Sequence, residues 1–146
     1  MGMKQKLSGK AGQMTIELAV ALPVLIAVAV IAVNVMTFFS ECAVFDRVAR
    51  DAVRVHAAAP AYKQGVGQSV ALIDQTIRSQ LSAPNLAISV THGVTGADLD
   101  EYVMTLEYSP TLFGRGLRSE VFGVRMPRLK HEARYVVDSY KPGVVA

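Results

Sequence analysis

Twenty-two consecutive residues, Leu18 to Phe39, carry no charge and only two polar side chains, Asn34 and Thr37. As a helix rising about 1.5 Å per residue, the segment is roughly 33 Å long, a match to a hydrocarbon core of about 30 Å. A lone segment crossing lipid must satisfy its backbone internally, so the pattern predicts one transmembrane helix. What remains is a short polar stretch before it and about a hundred residues after it, enough for one domain.

The residues just before the span are unusual. Glu17 stands at its mouth, five positions after Gly12, with Lys4, Lys6 and Lys10 further upstream. A carboxylate that close to hydrocarbon is unfavourable, about 2.5–3.5 kcal/mol at a helix centre and less near the end. It therefore needs a reason, and the reason read here is assembly: Glu17 meets a neighbouring subunit. The net charge of +3 resides wholly in the three lysines before Gly12, because the rest of the chain holds twelve basic and twelve acidic residues. That asymmetry predicts an N-terminus in the cytoplasm and everything beyond Ser40 outside it. It also leaves no broad basic surface for nucleic acid. A cleavable secretory signal fits less well, since the apolar run is too long and no polar cleavage region interrupts the helical pattern.

The helical pattern continues past the span. Val44, Phe45, Val48, Ala52 and Val55 recur at three- and four-residue spacing, and Asp46, Arg47, Arg50, Asp51 and Arg54 lie opposite. Asp46–Arg50 and Arg47–Asp51 have the spacing of helical ion pairs. One helix is predicted from about residue 14 to residue 58. Pro23 lies inside it, removing one backbone hydrogen bond and marking a kink.

Ala57 to Gly65, with Pro60, reads as a connector, and a second helix is predicted over 67–82 with Val70, Ile73, Ile77 and Leu81 on one face. Alternation follows. Leu86, Ile88 and Val90 face one way, and Tyr102, Met104, Leu106 and Tyr108 repeat the pattern. Leu129, His131, Ala133, Tyr135 and Val137 give a last strand, and 121–126 reads as a short one. The predicted fold is α+β: a long N-terminal helix, a second helix, and an antiparallel sheet of three or four strands packed on both.

A search for chemistry finds little. His56, His92 and His131 fall at a helix end, in a turn and on a strand, with no metal-ligand spacing. Asp98, Asp100 and Glu101 read as a solvated acidic turn, and the twelve-residue calcium-loop pattern is absent. Arg115, Arg118, Arg125, Arg128 and Lys130 form a basic stretch read as a solvated face. The single cysteine, Cys42, reads as a small apolar residue on a helix face. No nucleophile sits on a strained turn and no glycine-rich phosphate loop occurs, so no enzyme and no cofactor are expected.

The stretch Gly12-Gln13-Met14-Thr15-Ile16-Glu17-Leu18-Ala19 followed by Leu22-Pro23 resembles the prepilin family. It is most similar to the TadE-like branch of the tight-adherence (Tad, or Flp) pilus systems. Ala49-Arg50-Asp51-Ala52-Val53-Arg54 resembles a stretch these proteins carry after the membrane. The likeness spans roughly Lys10 to Val55, under a third of the chain. It implies a leader of residues 1–12, a membrane helix of 13–40 and an extracytoplasmic pilin-like domain of 41–146. It further implies cleavage between Gly12 and Gln13 by a prepilin peptidase, with other pilins and pilus assembly proteins as partners in the cytoplasmic membrane. Cleavage would give Gln13 a positive amine that Glu17 of a neighbouring subunit could pair with. Because the major pilins of such systems are short and almost all helix, the folded outer domain points to a minor pilin or pseudopilin. The phenylalanine that opens many other type IV pilins is absent here, where Gln13 stands. The rival expectation is a single-pass anchored binding or sensor domain that keeps its lysines.

Overall fold

The computed structural model describes residues 6–96, 99–112, 120–121 and 123–138. The first element is one α-helix, α1, over Lys6–His56. It begins earlier than the sequence pattern predicts and passes through Pro23 as helix. Once nucleated, a helix extends at little cost per residue, so Gly9 and Gly12 lower its stability without ending it. Basic Arg54 and His56 occupy its last turn, complementing the negative end of the helix dipole.

The chain turns back through Ala57–Gly65, held by the side chain of Gln64. Its Nε2 donates to the His56 carbonyl and to Ser69 Oγ, both at 2.9 Å, while its Oε1 accepts from Ala61 N–H. The second helix, α2 (Val66–Gln80), then runs back along α1 with Ile73 and Ile77 fully buried. Ala49 and Ala52 of α1 are buried as well, and such small side chains let two helices approach closely.

Three nine-residue strands follow in an antiparallel sheet: β1 (Leu86–Val94), β2 (Asp100–Tyr108) and β5 (Leu129–Val137), with β2 central. Tyr102, Met104, Leu106 and Tyr108 of β2 point to the core and are all buried, as the alternation requires. Tyr102, Met104 and Leu106 join Phe45, Ala49, Ile73 and Ile77 in one cluster, giving a two-layer α+β core between the sheet and both helices. The fold class and the principal strands follow the sequence expectation.

Four local expectations need correction. The stretch 121–126 is not one strand but a hairpin, β3 (Glu120–Val121) and β4 (Val124–Arg125), separate from the three-stranded sheet. Gly123, at φ +79, supplies the left-handed turn residue that reverses the chain there. The α1 stripe is borne out only in part. Phe45, Val48 and Ala52 face the core as expected, joined by Cys42, Ala49 and Val53, whereas Val44 and Val55 are exposed. Asp46 does not pair with Arg50 along the helix; it reaches β5, where His131 Nε2 lies 2.8 Å from its carboxylate. The backbone carbonyl of Asp46 also accepts from the Tyr135 hydroxyl at 3.2 Å, so this turn of α1 is tied twice to the sheet. Finally, Asp100 and Glu101 open β2 rather than forming a loose turn, and His92 lies in β1 with its Nε2 2.6 Å from Asp100. Asp98 lies outside the described residues.

The sheet's outer face is polar. Glu107 meets Lys130 at 2.7 Å and Arg128 at 3.5 Å, and Arg134 meets Glu132 at 2.6 Å. Of the basic stretch, Arg128 and Lys130 are thus paired with Glu107 of β2 and Arg125 lies 3.7 Å from Glu120 across the hairpin, while Arg115 and Arg118 lie outside the described residues. Lys130 beside Glu107 holds its carboxyl below the usual range. Arg78 pairs with Asp74 one turn away on α2 and also donates to the Ile88 carbonyl of β1, tying α2 to the sheet edge.

Candidate functional site

Along α1 the environment changes sharply. From Met14 to Ile26 every described side chain is exposed, although nearly all are apolar. From Val30 onward a covered stripe begins, running through Val30, Asn34, Cys42, Phe45 and Ala49 at helical spacing. The domain therefore reaches α1 at Val30, inside the segment predicted to cross a membrane, and not at Ser40. The reason lies in the chain after β2. Pro110 and Thr111 come down beside the helix, and both are buried.

Asn34 makes the joint. Its Nδ2 donates to the Val30 carbonyl at 2.8 Å and to the Thr111 carbonyl at 2.7 Å. Its Oδ1 accepts from Thr111 N–H at 2.9 Å and from the Tyr108 hydroxyl at 3.0 Å. Two donors and two acceptor positions are the full capacity of an amide side chain, and all four are used. Thr111 thus pairs with Asn34 through both its backbone groups, as a residue in a sheet ladder would. Phe38, one turn on, packs its ring 5.8 Å from that of Tyr108. Thr111 Oγ1 is the exception, a buried hydroxyl that no partner reaches among the described residues. In sequence, Asn34 reads only as a polar interruption of the span, and Tyr108 only as a core residue. The one available signal was the amide itself, because a polar group in a long apolar helix needs a partner.

Glu17 lies on the uncovered half. It is exposed and borders two shallow apolar grooves along the helix, one with Ile16, Val20 and Val24, the other with Met14, Leu18 and Ala21. Gly12 is helical, exposed, and has nothing within 4 Å of where a side chain would start. Gln13 continues the same helix. Gly12, Gln13 and Glu17 thus occupy neighbouring turns, with Pro23 less than two turns beyond Glu17.

No protein-family model, curated protein or solved structure matches this chain. The structure does contain one helix long and apolar enough to cross a membrane, beginning near the N-terminus.

The remaining reactive groups have structural partners. His56 Nε2 lies 3.2 Å from Thr76 Oγ1, and His92 and His131 sit against carboxylates on separate elements. Among the described residues, no three His, Cys, Asp or Glu side chains gather in a way that could hold a metal ion. Cys42 is buried in the core, where burial first and then the Asp46 and Glu41 carboxylates push its thiol pKa up. A thiol held protonated and covered is a poor nucleophile.

Proposed function

We propose that this chain is a minor pilin or pseudopilin of the tight-adherence type, a structural and assembly component rather than an enzyme. It would be anchored once in the cytoplasmic membrane, with its α+β domain outside. The observation that carries this reading is the position of Glu17, a carboxylate on the uncovered apolar half of α1, five residues after Gly12.

In this reading a prepilin peptidase cuts between Gly12 and Gln13 and removes the three lysines. The helix must open locally for that cut, and glycines at 9 and 12 ease it by roughly 1 kcal/mol each relative to alanine. The new amine of Gln13 then pairs with Glu17 of the adjacent subunit. In a low-dielectric setting the pairing offsets part of the cost of each charge and sets the axial register between helices.

Two measurements test this. Mass analysis of protein extracted from membranes of cells with an active prepilin peptidase should find a chain beginning at Gln13; an intact leader would sink the proposal. Glu17→Ala should leave membrane insertion unchanged and impair association with other pilins. Normal assembly of that variant would remove Glu17 from the mechanism.

A further inference from the structure

The base of the outer domain lies against α1 lower than the apolar sequence ends. We infer that the turn at Thr111–Leu112 is inserted into the outer leaflet and contacts lipid acyl chains. This rests on α1 being a membrane-spanning helix.

Depth follows from counting along α1. With Glu17 at the inner edge of the hydrocarbon, Asn34 lies roughly 26 Å further along the axis, short of the outer edge at about 30 Å. Thr111 is hydrogen-bonded to Asn34, so it shares that depth. A tilted helix gains less height per residue, so tilt sinks the turn further.

The backbone donors from Ser109 to Thr111 are provided for, and the Thr111 hydroxyl is the buried polar atom left over among the described residues. Non-helical backbone at membrane depth is stable only where its polar groups are satisfied. Ser109 N–H donates to the Asn85 carbonyl at 2.9 Å, Pro110 has no N–H, and Thr111 N–H goes to Asn34. Beside the turn lies an apolar groove of roughly 260 Å³ lined by Ile26, Ala29, Val30, Val33 and Leu112. Val24 and Leu25, next to Ile26 on the same helix, are exposed and apolar as well. Phe39, 66% exposed, stands one turn above Asn34, at the level where aromatic rings favour the interface.

The chain contains no tryptophan, so single tryptophans report depth directly. Full-length Leu112→Trp, Val24→Trp and Tyr62→Trp are reconstituted in phosphatidylcholine vesicles with brominated acyl chains. Leu112→Trp is expected to lose emission as Val24→Trp does, while Tyr62→Trp, at the far tip, keeps it. Should Leu112→Trp behave like Tyr62→Trp while Val24→Trp is quenched, the inference fails and the spanning reading survives. Should Val24→Trp also escape quenching, the spanning reading itself fails, and the inference with it. Quenching at Leu112→Trp that disappears as protein density in the vesicles rises would put a second copy in the groove and overturn the lipid assignment. If Leu112→Trp does not fold, a nitroxide on Leu112→Cys in a Cys42→Ala background reads the same depth, with preferential access to oxygen over a water-soluble nickel complex as the expected result and the reverse preference as the refutation.

Discussion

The two halves of α1 solve the same problem in opposite ways. Each has a polar side chain in an apolar setting, Glu17 in the lower half and Asn34 in the upper. Asn34 is 3% exposed and has every hydrogen-bonding position filled from within its own chain. Glu17 is exposed among side chains that the domain leaves uncovered. A polar group enclosed by the fold is satisfied by the fold, whereas one on the uncovered face is open to association, the role proposed for Glu17. The upper half should therefore respond to substitution through stability, and the lower half through assembly.

The strongest way to break this contrast is at Asn34. Asn34→Leu leaves the Tyr108 hydroxyl and both backbone groups of Thr111 buried without their partner, and should cost roughly 3 kcal/mol or more. Denaturant unfolding of the detergent-solubilised protein measures it. Val24→Leu, on the exposed half, should change stability by under about 0.5 kcal/mol in the same assay. Equal effects would mean that the halves are not distinct. A smaller effect is expected from crowding the core. Ala49→Leu places a larger side chain at a fully buried position and should cost about 1–3 kcal/mol, while Ala21→Leu should be silent. Thr111→Val sharpens the description of the joint. It replaces an unpartnered buried hydroxyl with a methyl group of similar shape and should stabilise the protein by about 1 kcal/mol. The smallest effect belongs to the sheet's outer face. Because the Glu107 carboxyl is held below its ordinary range by Lys130, its contribution is present above that range and is lost as pH falls through it. Glu107→Gln should remove this acid-side dependence and part of the salt sensitivity, changing neutral-pH stability little.

Much of the architecture was legible because it rests on periodicity. The alternation of Tyr102, Met104, Leu106 and Tyr108 predicts a strand with one buried face, and β2 has it. The stripe on the upper half of α1 was right at Phe45, Val48 and Ala52 and wrong at its two ends. Val44 and Val55 looked like core but turn outward, while Cys42, Ala49 and Val53, which the spacing did not single out, are buried. The hairpin at Gly123 was hidden because glycine in a short apolar stretch reads equally as strand interior or turn. The joint at Asn34 was out of reach for a different reason. Its partner Thr111 is 77 residues away, and no local pattern encodes a contact of that range. Glu17 was visible from sequence because insertion energetics single out one charged residue at a time.

The unbroken course of α1 from Lys6 to His56 has a mechanical consequence. Asn34, Asp46 and the core contacts bolt the domain along the upper part of that rod, so no hinge separates it from the helix that carries it. About 50 Å of helix lies between Pro23 and His56, and a 10° change in tilt about Pro23 would swing the Tyr62 end sideways by roughly 9 Å. In the membrane-spanning reading proposed above, the angle at which the helix crosses a bilayer becomes the heading of the domain, and whatever grips its lower half steers its tip.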